Sequence, residues 1–157
     1  MCGGSLISSE TVLTAAHCLN LAETEEDKDR DPILREVSKV RVILGEYDLN
    51  KTEGTEQIFE VKKMTLHPQW NKKSGTFRSY LDRDFAIITL VKPAKFTDFI
   101  IPICLAKEIS NRYEGIEAVA IGWGNLLYTK TDRNSSFVNE PNKLQKVNKA
   151  LIHQIKL

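Results

Sequence analysis

The sequence predicts an all-β fold of the barrel type, and three observations lead to that prediction. The apolar residues fall in short β-prone runs, turn-forming residues lie between those runs, and the chain contains neither a repeat nor a low-complexity tract. Short strands joined by turns are typical of β-barrels. The length of 157 residues suits one domain. A net charge of +1 and the lack of a long apolar run give no reason to expect nucleic acid or a membrane as a partner.

Most of the predicted strands lie in the first part of the chain. Ser8-Ser9-Glu10 indicates a hairpin turn between the first two strands, and residues 15–18 offer one helical turn after the second. Partly alternating apolar residues favour the third strand, which Gly45 ends. The continuous apolar run 85–91 predicts a strand that is buried on both sides. The predicted strands are residues 5–7, 11–14, 37–44, 58–61, 64–66 and 85–91.

The rest of the chain contains loops and two further strands. Residues 118–124 and 144–152 are the predicted strands. Residues 23–31 hold six acids and two bases, which is typical of a solvated loop. Polar residues with glycine or proline predict loops at 72–80 and 129–141 as well.

Three stretches carry the chemistry of the sequence. They are, in chain order, Cys2-Gly3-Gly4-Ser5-Leu6-Ile7, Leu13-Thr14-Ala15-Ala16-His17-Cys18 and Asp82-Arg83-Asp84-Phe85-Ala86-Ile87-Ile88. An imidazole titrates near neutral pH, so it can accept a proton from a hydroxyl and return it to a leaving group. The three stretches resemble those of the chymotrypsin/trypsin family of serine endopeptidases. The resemblance implies that His17 is the general base and that Asp84 orients it.

Asp84 is the stronger of two candidate aspartates for the orienting role. It opens an apolar run, where a carboxylate is costly to bury unless it has partners. Asp82 is the rival two positions earlier, and a strand-entry residue that points to water is the other alternative. The position against the apolar run favours Asp84.

The resemblance implies a trypsin-like double β-barrel that is only partly represented. Residues 1–91 would form most of the first barrel without its first strand, residues 92–117 the connection between the barrels, and residues 118–157 an incomplete second barrel. The start of the chain lacks the basic and apolar regions of a signal peptide, although disulfide use indicates an exported protein. We therefore expect a secreted parent protein, of which this chain is a fragment truncated at both ends.

The nucleophile that such an enzyme needs is missing from the sequence. No Gly-Asp-Ser-Gly-Gly occurs, and none of the nine serines lies in a glycine-flanked nucleophile turn. Acyl transfer requires an activated hydroxyl and backbone donors for the oxyanion, so we expect the chain to be inactive by itself. The alternatives are a non-catalytic protease homologue that acts as a binding or regulatory protein, and a transcript fragment without function. The serines are Ser5, Ser8, Ser9, Ser38, Ser74, Ser79, Ser110, Ser135 and Ser136.

The cysteines add a structural expectation. Three cysteines allow one pair with one left over. The resemblance implies a disulfide between Cys2 and Cys18, which would hold the residue beside His17 and stabilise the fold by roughly 3 kcal/mol in the chain-entropy model. Cys104 then resembles the cysteine that links a protease domain to a prodomain or light chain, with a free buried thiol as the alternative. Together with the acidic insertion, Cys104 suggests the arthropod clip-domain proteases.

An acidic loop between two predicted strands is a candidate calcium site. Acids surround Gly54 there, and calcium takes about six to eight oxygen ligands. The stretch resembles the calcium loop of trypsins, and a solvated acidic hairpin is the alternative. The resemblance implies carboxylate ligands at Glu46 and Glu56, backbone carbonyl ligands at Asp48 and Lys51, and a direct or water-mediated ligand at Glu53.

Two triplets fit the N-glycosylation sequon. They are Asn50-Lys51-Thr52 and Asn134-Ser135-Ser136. Such triplets arise often by chance, and their modification requires export. Asn50 also lies inside the candidate calcium loop, where a glycan could interfere.

Overall fold

The computed structural model describes residues 1–21, 34–70, 83–106, 116–124 and 141–150. Within these ranges the chain forms seven β-strands and two short 3₁₀ helices, which confirms the predicted all-β class. The same ranges contain no helix of the length and apolarity that a membrane crossing requires. Several predictions concern residues outside the described ranges. They are the acidic loop 23–31, the loop 72–80, nearly all of the loop 129–141, the rival Asp82 and the second sequon at Asn134.

The chain divides into two compact units. The first unit comprises Met1–Gly45 and Glu56–Leu105, and the second comprises Glu46–Thr55 and Ala106–Leu157. The division into barrels and a connection that the sequence suggested, with boundaries at residues 91 and 117, stays a prediction.

The first unit is organised around a five-stranded antiparallel sheet. Its strands are β1 Gly4–Ser8, β2 Thr11–Thr14, β3 Arg41–Leu44, β4 Gln57–Leu66 and β5 Ala86–Leu90. Their order across the sheet is β1-β2-β5-β4-β3. Each neighbouring pair is antiparallel, and β5 lies at the centre between β2 and β4.

A row of apolar side chains crosses the sheet at the centre of the core. Leu6 pairs with Val12, Val12 pairs with Ile88, and Ile88 pairs with Met64. All four residues are buried. Residues directly opposite each other in a sheet share one face, so this register places apolar residues of four strands on the same side.

The central strand β5 only partly confirms the expected burial on both faces. Ala86, Ile88 and Leu90 are buried, whereas Ile87 and Thr89 are half-buried. One face of β5 therefore packs into the core, and the other face is partly covered within the described part of the chain.

The third strand begins later than the sequence suggested. Val37–Lys39 form a 3₁₀ helix, and β3 begins only at Arg41. Val37 and Val40 both pack against the core, and side chains three residues apart lie on the same side of a 3₁₀ helix. The apolar spacing that favoured a strand is therefore the spacing of one 3₁₀ turn.

The two strands predicted on either side of Lys62-Lys63 are one strand, β4. Its pairing with β5 shifts register between Val61 and Lys63, as in a β-bulge. The extra residue changes which side chains point inward, so that Val61 and Met64 are both buried although they are three residues apart.

The second unit contains a two-stranded antiparallel sheet. Its strands are β6 Glu117–Gly122 and β7 Gln145–Ala150, and both were predicted. The loop Glu46–Thr55 belongs to the same unit. Leu49 of this loop donates its backbone N–H to the Asn142 carbonyl at 2.9 Å. The loop therefore lies beside the segment that leads into β7.

Candidate active site

His17 lies on a short 3₁₀ helix that closely follows β2. The helix spans Ala16–Leu19, and its buried residues are Ala16 and Leu19. Because residues three apart share one side of a 3₁₀ helix, that side faces the core. His17 points away from it, and the His17 side chain is 57% exposed.

Asp84 lies just before β5 and is brought to His17 by the sheet. The register of β2 against β5 pairs Thr14 with Ala86, so the end of β2 lies beside the start of β5. His17 follows Thr14 closely, and Asp84 closely precedes Ala86. The antiparallel pairing therefore joins two side chains that are 67 positions apart in the sequence.

A sharp turn precedes the Asp84 side chain. Arg83 has a φ of 54°, which is uncommon for a residue with a side chain. The backbone N–H of Phe85 donates to the Arg83 carbonyl at 2.7 Å, across Asp84. The Asp84 side chain is only 15% exposed.

Asp84 holds His17 through both of its carboxylate oxygens. Oδ1 accepts the backbone N–H of His17 at 2.8 Å, and Oδ2 lies 2.6 Å from Nδ1 of the imidazole. An ionised carboxylate can only accept hydrogen bonds, so the proton of the neutral ring lies on Nδ1. Nε2 then carries the lone pair, which is the arrangement that a general base requires.

The disulfide between Cys2 and Cys18 closes the segment that leads to His17. The two sulfurs are 2.08 Å apart and the Cα atoms 6.1 Å apart, which confirms the predicted pairing. Sγ of Cys18 lies 3.6 Å from Nε2 of His17. Thr14 adds a second tie, because its hydroxyl donates to the Gly3 carbonyl at 2.8 Å.

Arg35 supports the same helix, and this role was not predicted from the sequence. Its Nε donates to the Cys18 carbonyl at 3.2 Å, and its backbone N–H donates to the Leu19 carbonyl at 2.9 Å. Both carbonyls lie at the end of the helix that carries His17, where helical carbonyls lack partners within the helix. No motif or spacing links Arg35 to His17, so only the fold reveals the contact.

Comparison with known proteins identifies the family. The trypsin family model, described as Trypsin, matches residues 1–156. The chain belongs to the trypsin family. This result confirms the family that the three sequence stretches indicated, and the strands described above agree with the all-β fold of trypsin-like proteases.

Three relatives show how much of a trypsin-family protein the chain covers. Mannan-binding lectin serine protease 1 of Mus musculus is 32% identical over 141 residues, which are 89% of the chain and 19% of that protein. Trypsin-3 of Salmo salar is 34% identical over 125 residues, which are 80% of the chain and 42% of that protein. Mannan-binding lectin serine protease 1 of Homo sapiens is 36% identical over 124 residues, which are 78% of the chain and 17% of that protein. The chain thus spans less than half the length of each relative.

The described part of this trypsin-family chain contains a His–Asp pair without a serine bonded to it. The serines in the described ranges are Ser5, Ser8, Ser9 and Ser38. The Ser8 hydroxyl accepts the backbone N–H of Glu10 at 3.3 Å, and none of the four hydrogen-bonds to His17. The other predicted candidates lie outside the described ranges.

The loop that resembles the trypsin calcium loop brings two of its predicted ligands together. Carboxylate oxygens of Glu46 and Glu53 lie within 4.8 Å of each other. Like charges this close disfavour each other, and a cation between them would offset that effect. Carboxylate oxygens are also ligands that calcium prefers. Glu56, another predicted ligand, is counted with the first unit.

The two predicted carbonyl ligands, Asp48 and Lys51, form a turn in the same loop. The Lys51 N–H donates to the Asp48 carbonyl at 2.8 Å. Oδ1 of Asp48 accepts the N–H of Asn50 at 3.2 Å, and Oδ2 lies 3.9 Å from Nζ of Lys51. The Asp48 carboxylate therefore stabilises the turn. The backbone carbonyl oxygen of Asp48 keeps a second lone pair that a cation could use.

Proposed function

We propose that this chain contributes the general base and its orienting carboxylate to a secreted serine endopeptidase that hydrolyses peptide bonds through an acyl-enzyme. The observation that supports the proposal is the double contact of Asp84 with His17, at 2.8 and 2.6 Å. A trypsin-family base needs one fixed tautomer and one fixed orientation. Membership of the family adds the reaction class and a protein substrate.

In the proposed mechanism His17 moves the proton. Nε2 takes the proton of the attacking hydroxyl while the hydroxyl oxygen bonds to the peptide carbonyl carbon. Nε2 then gives this proton to the amine nitrogen as the C–N bond breaks. A water molecule attacks the acyl-enzyme in the same way and releases the acid product. Asp84 stays ionised throughout and stabilises the imidazolium.

We infer that the attacking hydroxyl comes from residues beyond these 157. The sequence contains no Gly-Asp-Ser-Gly-Gly, and the serines in the described ranges make no hydrogen bond to His17. Without a nucleophile and its oxyanion donors, most of the rate enhancement of acyl transfer is lost. The 157-residue chain is therefore expected to hydrolyse no peptide by itself.

Labelling with a fluorophosphonate probe tests this proposal, because the probe reacts with a serine that a neighbouring base activates. The full-length protein should be labelled, and the His17→Ala variant should lose the label. His67→Ala is the matched control, since Nδ1 of His67 accepts the backbone N–H of Gln69 at 3.2 Å, whereas Nδ1 of His17 bonds to Asp84. Labelling of the isolated chain at a serine would refute the inference that the hydroxyl lies elsewhere.

A non-catalytic protease homologue is the second candidate function. The observation that favours it is the lack of a nucleophile motif in the sequence. Such a protein would bind a substrate or regulatory partner without cleaving it. The full-length sequence separates the two candidates, because Gly-Asp-Ser-Gly-Gly supports the enzyme and a glycine in place of that serine supports the homologue.

We also propose that calcium stabilises the loop Glu46–Thr55. The proximity of the Glu46 and Glu53 carboxylates supports this, with the Asp48 and Lys51 carbonyls and Glu56 as the remaining predicted ligands. Bound calcium would supply positive charge and a cross-link within the loop. It has no step in the hydrolysis proposed above.

We further propose that the protein is secreted. Disulfides form and persist in oxidising compartments, so the bond between Cys2 and Cys18 supports a secreted protein.

Cys104 is free and exposed, which excludes the alternative of a buried thiol. We propose that Cys104 forms a disulfide with a prodomain or light chain. Electrophoresis of the native protein with and without reductant tests this, because reduction should release a second polypeptide.

A further inference from the structure

We propose that Asn50 is an N-glycosylation site. The sequon Asn50-Lys51-Thr52 lies in the loop Glu46–Thr55, and all three of its residues are exposed. No proline occupies the middle position. The triplet is therefore presented at the surface of the second unit, where a transferase could reach it.

The turn around Asp48 leaves two side-chain groups of the sequon exposed to solvent, the Asn50 amide and the Thr52 hydroxyl. Asp48 accepts the backbone N–H groups of Asn50 and Lys51, at 3.2 and 2.8 Å. These bonds use main-chain donors alone. Within the described part of the chain, neither the Asn50 amide nor the Thr52 hydroxyl hydrogen-bonds to another residue. The acceptor amide and the hydroxyl that the transferase recognises are thus both available.

An open groove beside Asn50 suits the first sugar. The groove has a volume of about 330 Å³ and is lined by Asp48, Asn50, Pro141, Asn142, Lys143 and Gln145. Most of these residues offer amide or charged groups, which can hydrogen-bond to the hydroxyls and the acetamide of N-acetylglucosamine. An attached sugar would find hydrogen-bond partners at its own attachment site.

The transfer balances with one co-reactant, a lipid-linked oligosaccharide diphosphate. Nδ2 of Asn50 forms a bond to C1 of the first sugar, and the bond from C1 to the diphosphate oxygen breaks. The lipid diphosphate leaves as an anion, and the amide nitrogen loses one proton. The Asn50 side chain is not among the proposed calcium ligands, so the modification removes no ligand.

The inference rests on the proposed export, and the experiment separates the two. The chain is expressed in mammalian cells behind an added export signal, so that the test holds whatever the native route is. Every version carries Asn134→Gln, which leaves Asn50-Lys51-Thr52 as the only sequon in the sequence. Cells and medium are analysed together, so that a glycosylated chain is detected whether or not it leaves the cell.

The readout is the mass of the peptide that contains residue 50, with and without peptide N-glycosidase. We expect one glycan that the enzyme removes, leaving Asn50 deamidated. Thr52→Ala should abolish the glycan, and the matched Thr52→Ser should keep it. Formation of the disulfide between Cys2 and Cys18 reports entry into the oxidising compartment. Unmodified Asn50 in chains that carry this disulfide would overturn the proposal, as would a glycan that persists in Thr52→Ala. Native export is tested separately, by fractionation of cells that make the full-length protein.

Discussion

Asp84 contacts His17 twice, at the backbone N–H and at Nδ1 of the ring. The backbone contact fixes the path of the chain at the start of the 3₁₀ helix. The ring contact fixes the tautomer. One carboxylate therefore sets both the position of the imidazole and the nitrogen that is left to accept a proton.

Replacing Asp84 by alanine is expected to destabilise the chain by about 2 kcal/mol. Each hydrogen bond to an ionised acceptor contributes roughly 1.5–3 kcal/mol, and solvation of the exposed His17 ring recovers part of the loss. Asp98→Ala is the matched control, since Asp98 is exposed and its loss should change stability by no more than about 0.5 kcal/mol. Urea unfolding followed by circular dichroism measures both variants. Equal losses would show that the carboxylate of Asp84 does not hold the helix.

Removing the disulfide is expected to destabilise the fold by roughly 3 kcal/mol, because the cross-link between Cys2 and Cys18 restricts the unfolded chain over a sequence separation of 16. The double variant Cys2→Ser/Cys18→Ser tests this by thermal unfolding. Cys104→Ser should leave stability unchanged, since that thiol is free and exposed. A reductant should lower the unfolding midpoint of the chain without substitutions and should not change the midpoint of the double variant. If the reductant lowered both midpoints equally, the effect would not come from this bond.

Sequence reasoning succeeded where the signal was local or carried by a motif. The strands β1 and β2 and the helical turn after them were predicted because neighbouring residues define them, and the disulfide between Cys2 and Cys18 was predicted from the resemblance to the trypsin family. The strand predicted to begin at Val37 was wrong, because a 3₁₀ helix lies there, and the β-bulge between Val61 and Lys63 was missed. An apolar spacing of three fits both a 3₁₀ turn and an irregular strand, and a bulge depends on the register of the partner strand. The contact from Arg35 to Cys18 had no sequence signal because it joins segments that meet only in the fold.

Removing calcium is expected to lower the thermal midpoint of the chain. A ligand present at about 100 times its dissociation constant stabilises a fold by about 2.7 kcal/mol, and a chelator would remove that contribution. Glu53→Gln should abolish most of the calcium-dependent shift, since one of two facing carboxylates is lost. Glu117→Gln, an exposed carboxylate on β6, is the control and should keep the shift. A midpoint that does not respond to calcium in the parent chain would contradict the proposed site.

The carbonyl of Tyr47 is expected to hold the second unit together at one point. It accepts the indole Nε1–H of Trp123 at 3.1 Å and the backbone N–H of Leu144 at 2.8 Å. It therefore links the loop Glu46–Thr55 to the residue that follows β6 and to the residue that precedes β7. Trp123→Phe removes only the indole donor, which should cost about 1 kcal/mol.

That loss should appear locally in hydrogen exchange, because the segments of a protein open with their own free energies. Exchange of the Leu144 and Leu49 amides, which bond to Tyr47 and Asn142 respectively, should become about 5-fold faster in Trp123→Phe, the factor that corresponds to about 1 kcal/mol. The Ile88 amide of β5 lies in the first unit and serves as the internal control, with no change expected. If Ile88 accelerated as much as Leu144, the substitution would have weakened the whole fold, and the indole contact would not be a local tie.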